Sequence, residues 1–301
     1  MIRICLAACV AGALFAAPAV AQDQGAGEQE ERNIVVTGER PTWFETTRQA
    51  RSITALTGLR YLPLPRFSGD RLCPGIFGLK PEYAAVMIDR IRASADRLGV
   101  WLAPDDGSCS PNLVVAFVDD GQAALRHYAA QQPWLFADMP RHERIELLRE
   151  EGPARVWTST HIRTRDGMPL SEDRANNIQV AQTWMAHSRI YTATRADITG
   201  ALVLFDRAEV RGKTLLQLAD YATMRGLART KSPEGRDAGL GTILGLFDEG
   251  VAPPPELTQF DRAYLAALYS DIPNLPGLTK VNSVNRQLHR QLDALEAAAG
   301  E

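Results

Sequence analysis

Two short apolar runs constrain this chain most: residues 112–118 (NLVVAFV) and Ala201–Phe205 (ALVLF). Each is four to seven residues of mostly Val, Leu, Phe and Ala, bounded by polar or turn residues, which is the pattern of a buried strand. The second leads through Gly212 into Lys213–Arg229, the best-defined helical stretch in the chain. Further helical spacing covers Leu79–Leu98, Gln122–Gln132, Arg141–Glu151, Asp237–Phe247, a segment opening at Leu257–Thr258, and Ser283–Ala298. In Leu79–Leu98 the apolar positions are Val86, Ile88, Ile91 and Leu98. Pro81 suits the first turn and Gly99 the stop. Thr258 reads as an N-cap with Asp261 at the third helical position, an acidic form of the capping box. Leu288, Leu292 and Leu295 fall on one stripe of the last helix. Arg189–Thr194 reads as one more strand, 163–176 as a polar loop, and 41–72 as loops and short strands around Pro63 and Pro65. The expected fold is α/β of the α+β type, a mixed sheet with helices in the majority, in a single globular domain over 41–301.

The N-terminus carries an export pattern. Met1-Ile2-Arg3 is a short basic start, 4–18 is almost wholly apolar, and Ala19-Val20-Ala21 is an A-x-A cleavage site. The apolar run is too short for a comfortable membrane span. Cleavage after Ala21 leaves 280 residues with 32 bases against 36 acids, because Arg3 is the only charged residue of the leader. No basic surplus recruits nucleic acid or anionic lipid. Cys5 and Cys9 leave with the leader. Cys73 and Cys109 remain, an even pair in an oxidising compartment, and a disulfide is the simplest use of them. Zinc ligation is the alternative, without a CxxC or a nearby His cluster to support it.

Residues 22–32 (QDQGAGEQEER) are polar and low in complexity and read as a disordered leader. Asn33–Arg40 (NIVVTGER) resembles the TonB-box-like segment of outer-membrane TonB-dependent receptors. A receptor also needs a plug and a large barrel, which this length and helical pattern do not supply. A short strand at Ile34–Thr37 is the plain reading.

Several chemistries fail on spacing. Gly212-Lys213-Thr214 sits where a phosphate loop would, but the loop's first glycine would fall on Arg207, and Asp206 and Glu209 would repel phosphate. No nucleotide is expected. There is no GxSxG elbow and no Ser-x-x-Lys pair. The five His, at 127, 142, 161, 187 and 289, are scattered. His142-Glu143 begins like a zincin motif, but the second His position holds Glu146.

From about Asn112 to Tyr269 the chain resembles a zincin-like domain of the matrixin/metzincin kind. The resemblance rests on NLVVAFV, on ALVLF leading into LLQLADYATMRGL (215–227), on GTILGLF (241–247) and on LTQFDRAYLAALY (257–269). In active zincins the helix reads HExxHxxGxxH: two His one turn apart hold zinc and the Glu acts as general base. Anchored on Gly226-Leu227, the His positions fall on Ala219, Thr223 and Arg229, the Glu position on Asp220, and the Met turn on Leu244. The resemblance therefore implies the scaffold without zinc or any other cofactor. It implies a non-catalytic, periplasmic or secreted binding protein that holds an envelope protein or an extended peptide by strand addition. Asp220 with Tyr221 could alternatively form a rebuilt site of a periplasmic hydrolase. Asp220 paired with Arg225 or Arg229 could replace the metal, and residues 33–40 could instead make the chain an accessory to a TonB-linked system.

Overall fold

The computed structural model describes residues 40–300 except 57, 132–135, 137–138, 140, 174–177, 182–187, 234–239, 251 and 271. The export leader, the segment 33–39 and His187 lie outside the described residues, as does part of the expected helix Asp237–Phe247.

Strand β2 (Pro74–Phe77), β3 (Leu113–Val118) and β7 (Thr194–Asp206) run parallel, side by side in that order. Strand β4 (Ala154–Thr164) lies antiparallel on the far edge of β7, with a register shift between Ser159 and Thr160. The two-residue strand β1 (Arg66–Phe67) runs parallel to β7 at Asp197–Ile198, below the stretch that β3 occupies. The expected mixed sheet is thus present, mostly parallel. A separate two-stranded antiparallel ribbon, β5 (Ser171–Asp173) and β6 (Ile178–Val180), replaces part of the polar loop expected over 163–176.

Both faces of the sheet are covered, which is why β3 and the Ala201–Phe205 half of β7 are apolar throughout. On one face Leu113, Val115 and Phe117 of β3 and Ala201, Val203 and Phe205 of β7 enter the main core. That core includes residues of α1 (Trp43–Ile53), α2 (Pro81–Arg97), α5 (Leu215–Leu227), α6 (Gln259–Tyr269) and α7 (Gly277–Ala299). On the other face Ala116 and Leu204 join Trp157 of β4, Phe136, and Leu125 and Leu147 from α3 (Gly121–Gln131) and α4 (Arg141–Arg149). Helix α5 lies so close to the sheet that a Cβ at Gly226 would come within 2.8 Å of Leu113 Cδ1. Among the described residues, helices make up the majority of the regular structure, and no helix is long and apolar enough to cross a membrane.

The caps explain several helix starts. Thr214 and Gln217 cap α5 reciprocally, and Thr258 and Asp261 do the same for α6 as expected. Gly99, at φ +69°, ends α2 in the left-handed region, its N–H donating to Asp96 at 2.9 Å. Cys73, just before β2, is bonded to Cys109, with 6.2 Å between Cα atoms. The side chain of Asn112 locks this corner by accepting from the Cys73 N–H at 2.8 Å.

Several expectations need correction. Residues 43–53, expected as loop, form α1 behind a Thr42–Glu45 capping box. Arg189–Thr194 and Ala201–Phe205 are not two strands: one thirteen-residue strand starts at Thr194, and 189–193 lie outside it. In place of a helix over Asp237–Phe247, the described part holds a single 3-10 turn, Ile243–Gly245. In α2 the core takes Met87 and Ala95 beside the expected Ile91, while Val86 is 42% exposed. Leu295 is 44% exposed, so only Leu288 and Leu292 of that stripe are buried. The last helix starts six residues earlier than expected, at Gly277.

Candidate functional site

Helix α5 carries Ala219, Asp220 and Thr223, with Arg229 two residues past its end and Leu244 in the 3-10 turn, and its two flanks have different surroundings. One flank faces α2. There Asp220, fully buried, accepts from Arg90 Nε and Nη2 at 2.7 Å each and from the Leu257 N–H at 2.8 Å. Arg90 also donates to Glu256 at 2.7 Å, and Glu256 meets Arg262 at 2.8 Å. These bonds hold the Arg90 guanidinium well above its ordinary pKa, the hydrogen bond to Asp220 first. Burial pushes the Glu256 carboxyl up, but the bonds and charges of Arg90 and Arg262 outweigh it and leave it low. Asp220 is thus a satisfied buried ion pair between helices. Its partner is Arg90, and neither Arg225 nor Arg229 takes that place.

The aligned ligand positions are likewise engaged. Ala219 and Thr223 are fully buried, and the Thr223 hydroxyl donates to the Ala219 carbonyl at 2.8 Å. Arg229 forms an ion pair with Glu143 of α4. An alanine, a hydroxyl committed to the backbone and a paired guanidinium do not fit a zinc ion, which needs neutral imidazole, thiolate or carboxylate donors. No step is derived through that metal. Among the described residues no group of three or more His, Cys, Asp or Glu could hold a metal ion.

Tyr221 packs its ring edge-on against Phe247, with centroids 5.1 Å apart, and against Phe205 at 5.9 Å. Its hydroxyl accepts from Arg225 Nη1 at 2.9 Å. Arg225 lies five residues beyond Asp220, so at 100° per residue it points about 140° away from the Arg90 pair. It lines a cavity of about 810 Å³. The walls of this cavity are α4, the end of α5 with Arg229, the turn Thr54–Leu56 after α1, and the Val156–Thr158 stretch of β4.

The β4 wall is a free strand edge. The Asp206 N–H donates to the Pro153 carbonyl at 2.9 Å, which fixes the alternation. Residues 153, 155, 157 and 159 therefore direct their backbone groups at β7, and Val156 and Thr158 direct theirs away from it. Among the described residues no strand pairs with β4 on that side at Val156 or Thr158. Helix α4, with the residue that follows it, forms another wall through His142, Glu143, Glu146 and Glu150. Burial raises the Glu150 carboxyl above its ordinary value, opposed by the charges of Arg225 and Arg155.

A second polar cluster lies lower on the sheet. Fully buried Asp197 accepts from Arg195 Nε and Nη2 at 3.1 and 2.8 Å, with Arg163 Nε at 3.7 Å. Arg66 and His161 sit in register with Asp197 on the neighbouring strands, and burial lowers the pKa of Arg66.

Of the residues singled out from sequence, the structure brings His142, Glu143, Glu146, Arg225 and Arg229 to one cavity and leaves Ala219, Asp220, Tyr221 and Thr223 off its lining. The α4 carboxylates and the β4 edge were not foreseen. In sequence, His142, Glu143 and Glu146 read only as one His and two acids on a solvated helical turn. No protein-family model matches this chain, and neither a curated protein nor a solved structure does.

Proposed function

We propose that this protein is an exported, non-catalytic binding protein of the cell envelope, zincin-like in scaffold, that holds an extended peptide segment of a partner in the cavity between α4, α5 and β4. The observation that carries this reading is the free backbone edge of Val156 and Thr158, which faces a cavity large enough for several residues. Extended peptides gain affinity by adding to such an edge, and flanking pockets supply selectivity. The order of elements supports the scaffold: an antiparallel edge strand, then a long inner strand leading directly into the capped helix that would bear the metal. The leader with its A-x-A site and the Cys73–Cys109 disulfide support export, since disulfides persist in oxidising compartments.

The test is metal content and peptidase activity of the mature chain, residues 22–301, purified from the periplasm without a tag. The expected result is below about a tenth of a zinc per chain and no chelator-sensitive cleavage of a casein or mixed-peptide substrate. One zinc per chain together with chelator-sensitive cleavage would overturn the reading. A hydrolase without metal is the second reading, favoured by the three carboxylates and one imidazole that α4 and the residue after it bring to one wall. Turnover that survives chelation and is lost in E150Q would establish it.

A further inference from the structure

We propose that the cavity selects peptides carrying a carboxylate, and that Arg225 is the residue that receives it. The proposal rests on the reading of the cavity as a peptide cleft and adds the chemistry that the cleft recognises.

Arg225 is 8% exposed. Its Nη1 donates to the Tyr221 hydroxyl, and its guanidinium stacks over the same ring with 5.6 Å to the centroid. Its Nε is buried and has no hydrogen-bond partner, and its Nη2 stands 4.0 Å from Glu150, outside hydrogen-bond distance. Other buried arginines of the molecule are served differently. Arg155 has Asp206 at 3.2 Å and Arg195 has Asp197 at 2.8 Å.

Arg90 gives the sharpest comparison. It grips both oxygens of Asp220 with the Nε–Nη2 edge of its fork. That edge of Arg225 is the one without a partner. A planar fork of this kind matches a carboxylate in two parallel bonds.

The Arg225 guanidinium is thus buried with its Nε unserved and its carboxylate, Glu150, beyond hydrogen-bond distance, a costly arrangement that an anion from outside would relieve. The position agrees. Arg225 lines the same cavity as Val156 and Thr158, so one extended segment can pair with the strand edge and present a carboxylate to the fork. Glu150 is the internal stand-in. Its side chain is 36% exposed and is held to Arg225 by charge alone, so it can turn outward when the peptide enters.

Either the peptide's C-terminus or an acidic side chain can supply the carboxylate, and three pools of N-acetylated tetrapeptides separate these sources. One pool has free C-terminal carboxylates, one is amidated with a Glu at one position, and one is amidated and neutral. Each is titrated into the isotope-labelled mature chain and followed by NMR at the backbone amides of Val156 and Thr158 and at the Arg225 Nε–H. The expected result is that one or both carboxylate pools shift the Nε–H together with the strand amides, and the neutral pool leaves the Nε–H in place. R225M then weakens carboxylate binding about tenfold or more and melts no lower than the wild type. If all three pools shift the strand amides equally and the Nε–H stays put, the role of Arg225 is refuted while the peptide cleft stands. If no pool shifts the strand amides, the cleft reading falls and this inference with it. Unchanged binding in an R225M protein that melts far below the wild type would make Arg225 a structural residue and overturn the proposal.

Discussion

Arg90 and Arg225 border the same helix, yet only Arg90 has a carboxylate at bonding distance. Asp220 occupies the glutamate position of the zincin motif, and that position is what suggests a rebuilt site with Tyr221. Its partner is 130 residues away in sequence, and nothing local to α5 reveals it. Glu150 offers a clean test of the local electrostatics. Its carboxyl is raised above the ordinary 4.5 because burial outweighs the nearby guanidinium charges. A group raised in this way favours the fold below its ordinary pKa and opposes it once pH climbs past the folded value. Glutamine carries no charge at either end of that window. E150Q should therefore melt above the wild type at pH 7 and level with it near pH ~3.5, where the carboxyl is protonated in both states. An E150Q protein that melts lower at pH 7 would show that the attraction to Arg225 and Arg155 exceeds the cost of burial.

At the level of elements, the cap of α6 does more than start a helix. Thr258 Oγ1 accepts from the Asp261 N–H at 3.1 Å and donates to the Gly241 carbonyl at 2.9 Å. The Asp261 carboxylate reaches back to the Thr258 N–H and across to Thr242 and the Ile243 N–H, tying the 3-10 turn to the helix. T258A should lower the urea midpoint by an amount worth about 1–2 kcal/mol, with an unchanged m-value, and T258S should recover most of it. An unaltered midpoint in T258A would mean that the carboxylate alone holds the junction.

This cap was legible because its residues are three apart. The box at Thr42 and Glu45 has the same spacing, but α1 buries Thr46, Thr47 and Gln49 beside Ala50 and Ile53, so its inner face carries little apolar periodicity. The lower half of β7 was hidden for a related reason: Arg195 and Asp197 make a buried charged cluster where a hydrophobic signal is expected. Strand β4 is polar along much of its length because it is an edge, and edges lack the apolar run that revealed β3. The cavity was illegible as a whole, since its walls come from four separate stretches of chain.

For the whole molecule, the disulfide is the largest single constraint on the unfolded chain. It closes a loop of sequence separation 36 that contains all of α2 and holds the start of β2 beside the approach to β3. On the loop-entropy model this is worth roughly 3–4 kcal/mol. The double variant C73A/C109A should lose about that much in urea unfolding, and a reducing agent should lower the wild type to the same midpoint. A wild type that unfolds identically with and without reductant would show that the bridge adds nothing beyond the packing around it.

The position of β7 has a consequence for how the chain is assembled. It is the last strand of the main sheet in sequence, yet β1, β3 and β4 all pair with it. A polypeptide made from its N-terminus must therefore release 206 residues before the sheet can close, and until then only β2 and β3 have each other. The eleven residues of β4 wait with both edges bare. Whatever escorts the newborn chain has to shield that stretch, and a ribosome stalled short of residue 194 would leave behind a product in which β1 and β4 have no strand to pair with.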